Sequence, residues 1–307
     1  MSQCASQPGT KPHRTRCALL FSACCLLVAS CGGGGTAGVS ASASSVGDTS
    51  PTTSNPTGSS PGASSGTLAP ASLSKFDLSS WKLDLPIDRN GGTGGSGGIE
   101  FPAQTIVAAQ LLKNFVDPYF YADPQGQLIF TAPANGAVTS PGVGSDHVRS
   151  ELREVYSGPG ADVNGDWTGV GTLTGTCAVR AVAARSQGAI IAQLRGQTHD
   201  LALLVFRPET ADVVLQVYPR NASGSTHTVT PVVRDVHLGD AISYSLSFSG
   251  RVLTATVNGT TQSSTVDVSW VGAPLYFKLG AYSVAPNVGN ASGDVTMVAY
   301  SAFAVSH

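Results

Sequence analysis

Residues 147–155 read HVRSELREV, and this short stretch places charge along one whole face of a strand. Side chains of an extended segment point alternately to opposite faces, so Arg149, Glu151 and Arg153 share one side, while residues 148, 150 and 152 share the other. Only 12% of the residues in the chain are charged. Three charges on one strand face therefore indicate a surface for a polar ligand, unless they simply pair with one another in solvent.

The chain beyond residue 72 shows the same short-period alternation almost throughout. Short alternating runs are separated by Gly, Pro, Asn and Asp turns, as in GQLIFTAPA, AIIAQLRGQ and VVLQVYP. The runs SYSLSFSG and RVLTATVNG predict a hairpin around Ser249-Gly250. Apolar residues have helical spacing only in residues 106–115, and this spacing predicts a short helix there. The pattern predicts an all-β fold over residues 73–307, a two-sheet sandwich or jelly roll with few short helices.

The first 72 residues have a different composition and are predicted to lie outside this domain. A basic stretch from Lys11 to Arg16 precedes a short apolar run and small residues, which is typical of a signal peptide over residues 1–30. The apolar run is too short to span a bilayer. Residues 31–72 are rich in Gly, Ser, Thr, Ala and Pro, and this composition predicts a flexible linker.

The end of the leader, VASC at residues 28–31, resembles a bacterial lipobox, in which cleavage leaves Cys31 as a lipidated N-terminus. The alternative is an ordinary signal peptide with an incidental cysteine. Gly32 is similar to the pattern of lipoproteins sent to an outer membrane. We therefore expect an exported protein of a Gram-negative bacterium, either an outer-membrane lipoprotein or a secreted protein, with membrane contact only through the lipid.

Cysteine content and net charge exclude two classes of protein. Cys177 is the only cysteine after residue 31, so the domain has no intrachain disulfide, and the alternation around Cys177 predicts a buried strand residue. Removal of residues 1–30 takes away three of the 17 basic residues and none of the 19 acidic ones, which leaves a net charge of −5. The charge excludes a global basic field for nucleic acid.

Two other segments divide their side chains as HVRSELREV does. In GQTHD, Gln197 and His199 are predicted to share one strand face, while Thr198 takes the other. One face of YFKLGAY carries a lysine, a glycine and two tyrosines: Tyr276, Lys278, Gly280 and Tyr282. Guanidinium groups bind carboxylates bidentately, and tyrosines offer flat apolar area with a hydroxyl. Three such strands in one sheet would suit an extended anionic polymer.

These motifs, in this order, resemble the alginate lyases of polysaccharide lyase family 7. The family has an R-S/T-E-L-R strand, a Q-I/V-H strand and a Y-F-K-x-G-x-Y strand, similar to residues 149–153, 197–199 and 276–282. WKLDLP at residues 81–86 is similar to the start of the family's domain. The resemblance implies a jelly roll whose concave sheet forms the substrate groove. Thr198 departs from the family's Ile or Val, so a preference for mannuronate or guluronate is not readable.

The resemblance implies β-elimination, in which a proton leaves C5 of a uronate and the glycosidic bond at C4 breaks to give an unsaturated end. Arg149 and Gln197 are then expected to hold the carboxylate, His199 to act as the base and Tyr282 as the acid. For mannuronate, Tyr282 alone could fill both roles. No step needs a metal or organic cofactor. The remaining polar residues are expected to bind substrate: Glu151, Arg153, Tyr276 and Lys278.

Other functions use the same polar face differently. A glycoside hydrolase needs two carboxylates in one groove, but Glu151 and Glu154 are three residues apart and face opposite sides of a strand. A non-catalytic module that binds an anionic polysaccharide would not need the pair His199 and Tyr282. A lyase for another polyuronate, such as polyglucuronate, is a further alternative. For every function that binds a polyuronate, the expected partner is an anionic polysaccharide and the expected oligomeric state is a monomer.

Overall fold

The computed structural model describes residues 73–88, 102–140, 145–155, 163–220, 227–286 and 293–307. The predicted signal peptide, the linker and Cys31 lie outside the described residues. Within the described ranges, no helix has the length and apolar character needed to cross a membrane.

Strands make up most of the described chain. In the described ranges there are 16 strands, which are β1 (Trp81–Asp88), β2 (Ala103–Ile106), β3 (Phe120–Ala122), β4 (Leu128–Pro133), β5 (Val138–Ser140), β6 (Ser145–Glu154), β7 (Val170–Ala181), β8 (Ala189–Gly196), β9 (Asp200–Arg207), β10 (Asp212–Val217), β11 (Thr228–Arg234), β12 (Ile242–Ser249), β13 (Val252–Val257), β14 (Thr260–Thr265), β15 (Leu275–Pro286) and β16 (Val295–Ser306). The chain also forms short 3-10 helices at Leu73–Lys75 and Val268–Trp270.

The helix predicted over residues 106–115 is much shorter in the structure. Only α1 (Ala108–Leu111) is α-helical, because Ile106 still belongs to β2 and Asn114 has a φ of 58°, outside helical geometry. The apolar spacing is therefore real, but it serves a single turn that packs beside β1.

The strands form two antiparallel sheets, which confirms the predicted all-β sandwich of the jelly-roll type. The first sheet has the order β11-β10-β9-β8-β15-β6-β1-β2, with β5 paired to β6, and the second has the order β14-β13-β12-β7-β16-β4-β3. The predicted hairpin joins β12 to β13, and Gly250 supplies the positive φ that its turn requires. The strands β8, β15 and β6 are neighbours in the middle of the first sheet.

The hydrophobic core contains side chains from both sheets. Val148 and Leu152 of β6 and Phe277 of β15 are fully buried, and each such side chain stabilises the fold by about 1.5–3 kcal/mol. Tyr300 of β16 donates its hydroxyl to the carbonyl oxygen of Ile191 on β8 and so ties the two sheets together. The predicted burial of Cys177 is confirmed.

A close approach of β6 and β15 fixes their register. Gly280 lies opposite Glu151 and has a φ of 150°. A Cβ at Gly280 would come within 2.4 Å of the carbonyl oxygen of Ser150. Only glycine fits at this point, so the glycine inside YFKLGAY is explained by backbone contact between the two strands that carry most of the site.

Candidate active site

Strand register brings the polar residues of β6, β15 and β8 to one face of the first sheet. Tyr282 lies opposite Arg149, and Lys278 lies opposite Arg153 on one side and Gln193 on the other. Directly opposed residues in antiparallel strands project to the same face. The alternation predicted for residues 147–155 and 276–282 is therefore confirmed.

The predicted strand position of Gln197 and His199 is wrong. β8 ends at Gly196, and residues 197–199 form the exposed turn of the β8–β9 hairpin. Arg195 pairs with Asp200 across this hairpin, and the N–H of Gly196 donates to the carbonyl oxygen of His199 at 2.9 Å. The turn closes the ladder before Gln197, so the two side chains share no strand face.

Strand β8 instead presents Gln193 and Arg195 to the polar face, and neither residue was predicted there from the sequence. Arg195 lies opposite Tyr276 of β15. The signal was present in AIIAQLRG, in which Gln193-Leu194-Arg195 has an amide and a basic residue two apart, four residues before Gln197. Which of the two segments contributes to the polar face depends on where β8 ends, and the sequence alone does not show that end.

Beneath the polar face, Glu151 is the centre of a buried charge cluster. Lys278 Nζ and Gln193 Nε2 both donate to its carboxylate, and Arg149 Nη1 lies 3.7 Å from Oε2. Burial lowers the pKa of Lys278 to about 7, an effect that Glu151 opposes and Arg149 reinforces. Removing Glu151 would leave the charges of Arg149 and Lys278 buried without their carboxylate.

A cavity of about 440 Å³ opens above this cluster. Seven of its lining residues are charged or are tyrosines: Asp84, Arg149, Arg153, Arg195, Asp200, Tyr276 and Tyr282. Gln197 and Thr198 contribute to its edge, and Gln197 Nε2 donates to the carbonyl oxygen of Gly165 at 2.9 Å. Neither His199 nor Lys278 nor Glu151 is among the described residues that line the cavity. Lys278 and Glu151, expected to bind substrate, therefore support the cavity floor from below.

Two ion pairs hold Arg153 and Arg195 in place. Arg153 Nη2 lies 2.5 Å from Asp84 Oδ2, and Thr105 Oγ1 donates to Asp84 Oδ1 at 2.8 Å. Burial tends to raise the pKa of Asp84, but Arg153 and other cations outweigh it and lower the pKa. Arg195 Nη1 is 3.0 Å from Asp200 Oδ1 at the other end of the cavity.

The ring of Tyr282 is held on several sides. The guanidinium carbon of Arg149 lies 4.0 Å from the ring centroid, and interaction with Tyr282 helps to raise the pKa of Arg149 against the effect of its burial. His147 packs edge-on to the same ring, with centroids 5.7 Å apart. The ring also contacts an apolar cluster that includes Ile190 and Leu203. Tyr282 is thus a fixed side chain at the cavity wall.

Among the described lining residues, the cavity carries three guanidinium groups against two carboxylates. Within the described ranges, no cluster of three His, Cys, Asp or Glu side chains could hold a metal ion. Guanidinium groups and tyrosine hydroxyls on a sheet face suit a protein that binds an acidic carbohydrate polymer.

Comparison with known proteins identifies the family. A family model described as alginate lyase matches residues 76–307, and the chain therefore belongs to the alginate lyases of polysaccharide lyase family 7. A search of curated protein sequences found no match.

Solved structures of alginate lyases have the same fold. Alginate lyase A1-II' of family 7, crystallised as a variant with the substrate GGMG, is 27% identical, with a TM-score of 0.64 over 77% of this chain and 97% of that chain. A product complex of A1-II' is 28% identical, with a TM-score of 0.63 over 77% and 99%. Alginate lyase PA1167 from Pseudomonas aeruginosa is 27% identical, with a TM-score of 0.63 over 75% and 99%.

Proposed function

We propose that this chain, a polysaccharide lyase that cleaves alginate, carries out the β-elimination in the cavity above Glu151. The observation that carries the proposal is the stacking of the Arg149 guanidinium on Tyr282 at the cavity wall. This contact places a carboxylate-binding cation beside a group that can move a proton. The family relative A1-II' has been crystallised with oligosaccharide substrate and product, which supports a polysaccharide ligand.

Binding of the uronate carboxylate is assigned to Arg149. Loss of the C5 proton builds negative charge next to a carboxylate that is already anionic, so a fixed cation at this point lowers the barrier. Arg149 is 2% exposed, and Glu151 below it fixes its position. Its pKa is raised, so it stays charged when a substrate excludes water from the cavity.

Movement of the proton is assigned to Tyr282. It lies opposite Arg149 across the β6–β15 pair and lines the cavity. A phenol oxygen can accept a proton as well as donate one, and the Arg149 guanidinium lies 4.0 Å from the centre of the ring that carries it. The ring contacts described above keep the hydroxyl in one place, as general acid–base catalysis requires.

Arg153, Arg195 and Tyr276 are assigned to substrate binding. The two arginines lie on different strands, β6 and β8, and each is held by an aspartate. A polyuronate has one carboxylate on every sugar, so separated guanidinium groups suit successive residues of the polymer. Burial raises the pKa of Tyr276, which therefore remains a neutral hydrogen-bond donor beside them.

The mass of the products tests this function directly. Purified residues 73–307 would be incubated with alginate, and the oligosaccharides would be weighed by mass spectrometry. Elimination gives oligosaccharides lighter by one water than those of hydrolysis, with a new unsaturated end. Saturated products would indicate a glycoside hydrolase, and binding without product would indicate a non-catalytic module.

We also propose that the enzyme is an exported monomer anchored by a lipid on Cys31. The lipobox-like VASC at residues 28–31 supports the anchor, and the linker that follows would let the domain reach polymer in solution. In the full chain, Cys31→Ser should move the protein from the membrane fraction to the soluble fraction. Sedimentation of the purified domain would show its oligomeric state.

A further inference from the structure

Resting on the proposed function, we infer that Tyr282 is the single acid–base group of this site, so that the enzyme cleaves uronates whose C5 proton and C4 oxygen lie on the same face of the sugar. Mannuronate and glucuronate have this arrangement. Guluronate, the C5 epimer of mannuronate, does not. The side chain that β8 presents to the cavity and the positions of the histidines support this assignment.

No histidine of the domain lines the cavity. The chain has six histidines, and the five that follow the leader all lie in described residues: His147, His199, His227, His237 and His307. None of them is among the described lining residues. The side chain that most often serves as a general base at neutral pH is therefore missing from the site.

The two histidines nearest to the site have other positions. His199 lies in the exposed turn after β8, where its carbonyl oxygen accepts the N–H of Gly196. His147 packs against the ring of Tyr282, and its Nδ1 is 3.2 Å from the carbonyl oxygen of Ser283. This contact directs the imidazole toward the backbone of β15 and the tyrosine ring.

The side chain that β8 extends into the cavity is Arg195. It lies opposite Tyr276 and reaches Asp200 at 3.0 Å. A guanidinium group is protonated throughout the pH range in which proteins work, so Arg195 can bind a carboxylate but cannot take a proton from C5. A cation thus occupies the place from which a base on β8 would act.

The other titratable lining groups are poor bases. The carboxylate of Asp84 is buried against Arg153, which lowers its pKa, and Asp200 is paired with Arg195. Tyr276 is 2% exposed, and burial raises its pKa, so its hydroxyl stays protonated. Among the described lining residues, Tyr282 is left as the group that can both accept and donate a proton.

One group on one side of the sugar dictates the stereochemistry. In its deprotonated form, the Tyr282 oxygen takes the C5 proton, the C5–H electron pair forms the C4=C5 double bond, and the C4–O4 bond breaks with its electron pair on O4. The O4 atom then takes the same proton from Tyr282, which restores the ionised tyrosine. In guluronate the C5 proton lies on the face opposite O4, so removal requires a second base that the described lining residues do not supply.

Initial rates on three homopolymers test the inference in the wild-type domain. Ultraviolet absorbance of unsaturated ends would be followed with polymannuronate, polyglucuronate and polyguluronate. We expect product from the first two, and a rate on polyguluronate lower than on polymannuronate by about 100-fold or more, the contribution of a missing acid–base group. Similar rates on polymannuronate and polyguluronate would overturn the inference alone. No product from any polymer would contradict the proposed function as well.

The substitution Arg195→His tests the position itself, because it places an imidazole where β8 reaches the cavity. We expect the ratio of the polyguluronate rate to the polymannuronate rate to rise by about tenfold or more. An unchanged ratio in a variant with wild-type melting behaviour would contradict the assignment of Arg195. His199→Ala is the matched control, and a fall in polyguluronate cleavage there would identify His199 as a base after all.

Discussion

Gln193-Leu194-Arg195 and Gln197-Thr198-His199 place an amide and a basic side chain at the same spacing, four residues apart, yet they lie in different surroundings. The first segment lies on β8 between β9 and β15, with Gln193 completely buried. The second forms an exposed turn. The difference shows that the chemical role of a short motif depends on its position and register in the sheet.

The two segments also differ in what their loss would do to the molecule. Gln193 donates to Glu151 in a buried cluster, in which each charge depends on its partners. The side chains of the turn are exposed to water, where a substitution usually changes the free energy of unfolding by less than about 0.5 kcal/mol. Substitutions at the cavity floor should therefore have much larger effects than substitutions at the turn.

The largest effect is expected for Tyr282→Phe, which removes the proton-carrying oxygen and keeps the ring contacts. We expect kcat on polymannuronate to fall by about 1,000-fold or more, because both proton transfers are lost. Binding of the polymer, measured by calorimetry, should be retained. A fall of less than about tenfold would mean that another group moves the proton.

Arg149→Lys should have the next largest effect. Lysine keeps the charge but not the planar fork that binds a carboxylate, so we expect kcat/KM to fall by about 100-fold. Arg180→Lys is the matched control, because Arg180 lies on β7 of the second sheet and pairs with Asp123. Equal losses in the two variants would indicate general destabilisation rather than a role at the cavity.

Lys278→Met should alter how stability depends on pH. The pKa of Lys278 is about 7 in the folded chain and has an ordinary value near 10.5. Between these values the unfolded chain binds more protons, so this lysine makes stability rise with pH, and the gain is lost progressively as the pH falls from about 10.5 to about 7. The change in melting temperature from about pH 7 to about pH 9 should be more positive in the wild type than in Lys278→Met. Lys113→Met, at an exposed position after α1, should match the wild type.

Local alternation made the fold and part of the site predictable. Arg149 and Tyr282 lie on long strands whose buried and polar faces can be read from the sequence, and the structure brings these two residues together as expected. The depth of burial was not predictable, because Lys278 and Glu151 are covered by neighbouring strands that lie far away in the sequence. Their alternation indicates a face but not how much water reaches it.

The misplaced pair has a different cause. Alternation continues from β8 through Gln197 and His199 without a break in the sequence, and Gly196 gives only a weak indication of a turn. What ends β8 is the pairing of Arg195 with Asp200 in the hairpin to β9, a contact that depends on the register of the two strands. Asp84 was missed for a similar reason, since its partner Arg153 lies on another strand.

The smallest effect is expected for His199→Ala, because strand register places Arg195 rather than His199 at the reacting sugar. The measurement is the initial rate of unsaturated-end formation from polymannuronate by His199→Ala beside the wild type. We predict rates equal within about twofold, because His199 is an exposed turn residue that is not among the described residues lining the cavity. A loss of rate close to that of Tyr282→Phe would contradict this placement and would show that His199 takes part in the reaction.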